Sequence, residues 1–290
     1  MGKNSSVTRA IAQTGFWQAL LTATMCLAGC QTPTMPSMTH VPPEWRDQHP
    51  WGPKANGLRE QGLLQVCPDS PEFVAWREFG KEHIQDGDII LRRGLAVGIK
   101  DKITNHILVT ATDSAFSHDA IAHWKDGKIW VYDAELEGIR HMPFEVWILD
   151  VVPHRLAIYR PRAEFQRCVP QAIAYCHEKY LEEVPFDKDL GLGDDKLYCT
   201  ELIEKAYRSA GMVISDPVPL RCQPQYHRYA ILGPLGERVT GLRRDMPIFS
   251  VGNQHHGLLS SPNLELVFID PQADPKRRHK APTCDPAPFP

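Results

Sequence analysis

Apolar residues recur at helical spacing in three stretches of the chain, with short strand-like runs between them and turn residues at the joints. Ser70-Pro71-Glu72 opens the first helix, which runs to about His83 with Phe73, Val74, Trp76 and Phe79 as its apolar positions. Ser70 can cap its free N–H groups, and Pro71 sits where no N–H is missed. Val169, Ile173, Cys176, Tyr180 and Leu181 predict a second helix over 169–182. Leu202, Ile203, Ala206 and Tyr207 make one stripe over 200–210, and Gly211 stands where a helix closes on a left-handed residue.

Between the helices, Asp86-Gly87-Asp88 is a turn leading into a short buried strand, Ile89-Ile90-Leu91. His118 to Trp124 predicts a strand, Asp126-Gly127 a tight turn, and Lys128 to Ala134 the returning strand of a hairpin. Gly138 to His141 predicts a third strand and Phe144 to Ile148 a short helical turn. Leu156 to Tyr159 and Leu264 to Ile269 add further strands. Leu95 to Val109 is ambiguous and reads as helical, then irregular. The order predicts an α+β fold, a small antiparallel sheet packed against helices, occupying 51–270.

The flanks differ from this middle. Lys3 and Arg9 precede an uncharged run from Ile11 to Gly29. That run is too short and too polar for a membrane span and suits the core of a secretory signal. It ends Leu27-Ala28-Gly29-Cys30, which resembles a bacterial lipobox, with 1–29 as the signal peptide. The resemblance implies that Cys30 is lipidated and becomes the first mature residue, with more than one acyl chain needed for stable anchoring. Gln31, rather than Asp, after the cysteine implies the outer membrane, with the protein on its periplasmic face. Residues 30–50, with Pro33, Pro36, Pro42 and Pro43, read as a tether. Residues 271–290, with Lys276-Arg277-Arg278-His279-Lys280, read as a solvated Pro-rich tail.

The 290 residues leave room for one sizeable domain after the signal. A formal charge of -3 gives no electrostatic basis for binding nucleic acid. Of eight cysteines, Cys67, Cys168, Cys176, Cys199, Cys222 and Cys284 remain once Cys26 and Cys30 are set aside. An oxidising periplasm permits disulfides. Cys168 and Cys176, on one helical stretch, are too far apart to bridge if both are helical. No Cys/His spacing resembles a structural zinc site.

Three residue types supply candidate chemistry. Cys199, in Leu197-Tyr198-Cys199-Thr200-Glu201-Leu202, stands at the head of the best helix. Free N–H groups there favour a thiolate and can hold an oxyanion. His118, in Phe116-Ser117-His118-Asp119, opens a strand and by alternation shares a face with Ala120 and Ala122. Asp133 closes the paired strand, near enough across the hairpin to orient an imidazole. Alternation turns Asp119 to the opposite face. Tyr226, His227, Tyr229, His255 and His256 read mainly as surface-loop residues, with a substrate cleft as the other reading.

These motifs, in this order, resemble the circularly permuted branch of the NlpC-like, papain-fold cysteine hydrolases, the YiiX/YebB/YaeF-like group. The resemblance is carried by Gly87-Asp88-Ile89-Ile90, Ser117-His118, Asp133-Ala134 and Tyr198-Cys199-Thr200-Glu201-Leu202. It implies a permuted papain-like fold with Cys199 as nucleophile, His118 as base then acid, and Asp133 as the orienting residue. No metal or organic cofactor is implied. Tyr198 would shape the oxyanion site and Glu201 would brace the helix, with packing and surface roles as the equal alternative for both. The group has glutamate where Asp133 stands, so Glu135, two residues on, is a rival orienter. The implied function is a lipid-anchored peptidase or amidase acting on a peptide or murein substrate. An esterase or acyltransferase using acyl lipids, and a non-catalytic lipid-anchored scaffold, are the other readings.

Overall fold

The computed structural model describes residues 35–36, 51–64, 70–93, 109–150, 155–228 and 242–270. The signal segment, Cys30, nearly all of the tether, residues 95–108, Tyr229 and the tail lie outside these, so the expectations for them stand as they are. All the elements below belong to the unit Pro36–Pro290.

Helix α1 (Pro53–Glu60) and helix α2 (Pro71–His83) lead into strand β1 (Ile89–Arg92). Strands β2 (His118–Lys125), β3 (Lys128–Glu135) and β4 (Gly138–Pro143) follow as a meander, then helix α3 (Phe144–Leu149) and strand β5 (Leu156–Pro161). Helices α4 (Val169–Leu181) and α5 (Cys199–Ser209) precede two short strands, β6 (Val218–Pro219) and β7 (Pro247–Ile248), and strand β8 (Leu264–Ile269) closes the order. Six strands form one antiparallel sheet in the order β4-β3-β2-β1-β5-β8. The expected α+β architecture, an antiparallel sheet packed against helices, is what the chain adopts.

Local chemistry explains the element ends. Ser70 caps α2 by accepting from the Phe73 N–H at 3.5 Å. Asp126 and Gly127 both take positive φ, +53° and +73°, as a two-residue hairpin turn requires. Gly211 ends α5 at φ +87°. Helix α1 is an addition: Asn56, buried in it, donates to the His141 carbonyl and to the Tyr180 hydroxyl, both at 2.8 Å. Its apolar content is low, so no hydrophobic stripe announces it.

Period-2 alternation divides the sheet into two layers. Ile89, Leu91, Ile121, Tyr132 and Ala134 pack with Leu202, Ile203, Ala206 and Tyr207 of α5 and with Val169, Ala172 and Cys176 of α4 in one core. The other face, with Arg92, His118, Asp133 and Arg140, meets Trp147 of α3. A smaller cluster sits beneath Tyr198, from Leu220, Leu242, Met246, Ile248 and Phe249. Part of the segment expected as surface loop is therefore interior. His256 is buried and its Nε2 lies 2.8 Å from the Thr112 carbonyl, while His227 and His255 are exposed as expected.

Candidate active site

The glycine and aspartate that precede β1 have separate structural duties. Gly87 takes φ +78°, and a Cβ there would sit 2.5 Å from Val169 and 2.8 Å from the Tyr207 hydroxyl. That hydroxyl donates to the Gly87 carbonyl, tying β1 to α5. Asp88 accepts from Arg160 on β5 at 2.7 and 2.8 Å and from the Gln85 N–H at 2.8 Å. Together these fix the strand beside which His118 is registered, since Arg92 pairs with His118.

His118 and Asp133 are brought together. His118 Nε2 lies 2.8 Å from Asp133 Oδ2. Glu135, the rival, is 3.9 Å from the same nitrogen, beyond hydrogen-bond distance. Bonding through Nε2 leaves Nδ1 as the nitrogen available for proton transfer. The ring stacks on Trp147 with centroids 5.8 Å apart, which fixes its plane.

Asp133 is held from several sides. Arg140, its cross-strand neighbour on β4, donates from Nε at 2.9 Å and Nη2 at 2.5 Å, and Trp147 Nε1 donates at 2.8 Å. Burial disfavours the carboxylate, but the Arg140 charge and the bonds from His118 and Arg140 outweigh it and hold the group well below the usual range. Arg140 also reaches Asp150 at 3.2 Å. Arg92 lies over the Trp147 ring at 4.2 Å and donates to the Trp147 carbonyl. The sequence reading missed Arg140, Arg92 and Trp147. Hairpin register alone could have found Arg140.

Cys199 is the first residue of α5, and Tyr198 before it is extended, at φ -103° and ψ 170°. Glu201 braces the turn as expected: it accepts from the Tyr198 N–H at 3.4 Å and pairs with Lys205 at 3.0 Å. Tyr198 is a correction. Its hydroxyl donates to the Phe249 carbonyl at 3.2 Å and accepts from the Phe249 N–H at 2.7 Å, so it is not free for an oxyanion.

The sulfur departs from expectation in two further ways. No hydrogen bond joins Cys199 to His118 among the described residues; the near polar atom is Thr200 Oγ1, at 4.0 Å. Helix α5 packs on the face opposite the one carrying His118 and Asp133, the pair that hairpin spacing was expected to gather and does. The thiol is also raised well above its ordinary pKa, by burial first and then by the charges of Asp119 and Glu135. The Thr200 backbone N–H acts in the other direction but is outweighed. The helix start alone therefore does not yield a resting thiolate. Asp119, expected to point away from the site, faces the α5 layer because that is where the site's helix packs.

Other features lie apart. Two cavities, of about 590 and about 760 Å³, open at the far end of β2 around His123, and neither is lined by Cys199, His118 or Asp133. Cys168 and Cys176 are both free, so they do not bridge each other, and Cys222 is disulfide-bonded. Among the described residues no group of three or more His, Cys, Asp or Glu side chains is placed to hold a metal ion.

Residues 83–221 match the model of the permuted papain-like amidase enzymes of the YaeF/YiiX family. The uncharacterized protein YiiX of Escherichia coli strain K12 is 25% identical over 160 residues, which is 55% of this chain and 72% of that protein. The crystal structure of metalloprotein YiiX from Escherichia coli O157:H7 matches with a TM-score of 0.49 and 20% identity, over 64% of this chain and 97% of that one. The matched segment contains the Gly87 turn, His118, Asp133 and Cys199, and over it the chain is similar to the permuted papain-like amidases of the YaeF/YiiX family.

Proposed function

We propose that this chain is a lipid-anchored cysteine amidase of the bacterial outer membrane, acting on the periplasmic side through Cys199, His118 and Asp133. The observation that carries the reading is the placement of Cys199 as the first residue of α5 within the segment that matches the amidase family. The His118–Asp133 pair on the adjoining sheet supplies an imidazole whose charged form a buried carboxylate stabilises.

In this mechanism the S–H proton of Cys199 passes to a base beside the head of α5, the sulfur adds to an amide carbonyl, and the carbonyl electron pair moves to oxygen, held by N–H groups of the first turn of α5. His118 Nδ1 gives a proton to the departing amine as the C–N bond breaks. Water, deprotonated by the same nitrogen, then releases the acyl group from sulfur. Substrate binding must bring the ring to the sulfur, since the resting site holds them without a hydrogen bond. The substrate we propose is a murein stem peptide, the amide-rich polymer beside a periplasmic lipoprotein. The disulfide at Cys222 supports an oxidising compartment.

The test is incubation of the purified protein with murein stem peptides and, separately, phospholipid vesicles, with products read by mass spectrometry. Cys199→Ala should abolish amide cleavage while leaving the fold intact. Undiminished cleavage would remove Cys199 from the mechanism. A phospholipid-derived acyl group on Cys199 would assign lipid acyl transfer in its place.

A further inference from the structure

One ionisable group near the sulfur has no part in the amidase chemistry so far. Asp119 is fully buried. Alone among the buried carboxylates described, both of its oxygens lack a hydrogen-bond partner of good geometry. A buried carboxylate in that state is costly and calls for a reason. Its register partner Leu91 belongs to the core shared with α5, so the side chain projects toward the first turn of that helix. The groups around it and the thiol come from three elements. His118 neighbours it on β2, Asp133 and Glu135 approach from β3, and Cys199, Thr200 and Glu204 from α5.

Burial raises the Asp119 carboxyl to about 6, with the His118 charge and the Thr200 and Cys199 side chains acting in opposition. Burial first, and then the Asp119 charge, raises the thiol. A desolvated space favours one negative charge there over two. The site therefore has two forms with the same proton count: thiol beside carboxylate, or thiolate beside carboxylic acid. The N–H groups at the start of α5 stabilise whichever anion forms.

We propose that Cys199 and Asp119 share one proton, so that the carboxyl governs when the sulfur can attack. The proposal rests on Cys199 being the nucleophile. In the step, the S–H bond breaks, the proton passes to an Asp119 oxygen, and the sulfur keeps the electron pair that then forms the bond to the carbonyl carbon. Nothing is oxidised or reduced. The neutral acid can donate back to the sulfur until attack. Asp119 stands on the face that α5 covers, at the first turn of that helix, while His118 serves the leaving amine.

The test uses the full chain and iodoacetamide, with alkylation at Cys199 followed by peptide mass spectrometry from pH 5 to 9; the buried Cys168 and Cys176 serve as internal references. Asp119→Asn removes the competing charge at nearly constant shape. Its alkylation midpoint should move to lower pH. For each pH unit that the midpoint moves, the rate at pH 7 should rise by about threefold or more, because a tenfold gain in thiolate is partly offset by lower nucleophilicity. An unchanged midpoint in folded Asp119→Asn overturns the proposal. Should that variant fail to fold, carbon-13 titration of the Asp119 carboxyl decides: linkage requires its midpoint to move in Cys199→Ala, and a fixed midpoint overturns the proposal. Amide cleavage that survives in Cys199→Ala sinks the nucleophile reading separately, since neither titration measures turnover.

Discussion

Asp133 accepts hydrogen bonds from His118, Arg140 and Trp147, all within a buried layer. Asp133→Asn would leave Arg140 with Asp150 as its remaining ion-pair partner, and breaking a buried pair in this way costs about 3–5 kcal/mol. Urea unfolding of the variant at pH 7 should show that loss. The pH dependence has a fixed sign. A carboxyl whose folded pKa is depressed stabilises the protein above its unfolded value and loses that contribution as pH falls through the folded one. The wild-type chain should therefore lose more stability than Asp133→Asn on acidification below about pH 4. Turnover should fall by about 10²–10⁴-fold, the range of a positioned acid–base group. At this scale the sequence was legible where hairpin spacing applied, as at His118 and Asp133. Arg140 could have been read from the β3–β4 register but was missed, and Trp147 was not legible, because nothing in the spacing says which aromatic residue will close over a carboxylate. Asp119 was assigned to the correct face, but the layer that covers that face was not foreseen.

Elements were the most legible level. Helices α2, α4 and α5 and strands β1 to β5 and β8 follow the apolar periods, because each buries one stripe or one face. Helix α1 escaped notice because polar bonds from Asn56 hold it in place of an apolar stripe. The joint between α5 and β1 shows how much one position can carry. Gly87→Ala would force a Cβ into a left-handed backbone and within 2.5 Å of Val169. We expect a loss of about 1–3 kcal/mol from the overpacking, seen as a lower denaturation midpoint, with α4 and α5 pushed from the sheet. A variant as stable as the wild type would show that Gly87 is not needed for close packing.

At the scale of the whole molecule, the α+β layering places the sulfur's helix on one side of the sheet and the His118–Asp133 pair on the other. That division was the least legible feature, since alternation fixes which residues share a face but not which helices will cover it. Anchoring is also a property of the molecule as a whole. Cys30→Ala should release the protein from the outer-membrane fraction and abolish palmitate labelling, whereas retention in that fraction would contradict lipidation. Catalysis by a cysteine nucleophile requires a covalent intermediate on one sulfur. Rapid quenching during turnover of a stem-peptide substrate, followed by peptide mass spectrometry, should find the acyl group as a thioester on Cys199. Turnover with Cys199 unmodified at every time point, and equally fast in Cys199→Ala, would contradict it.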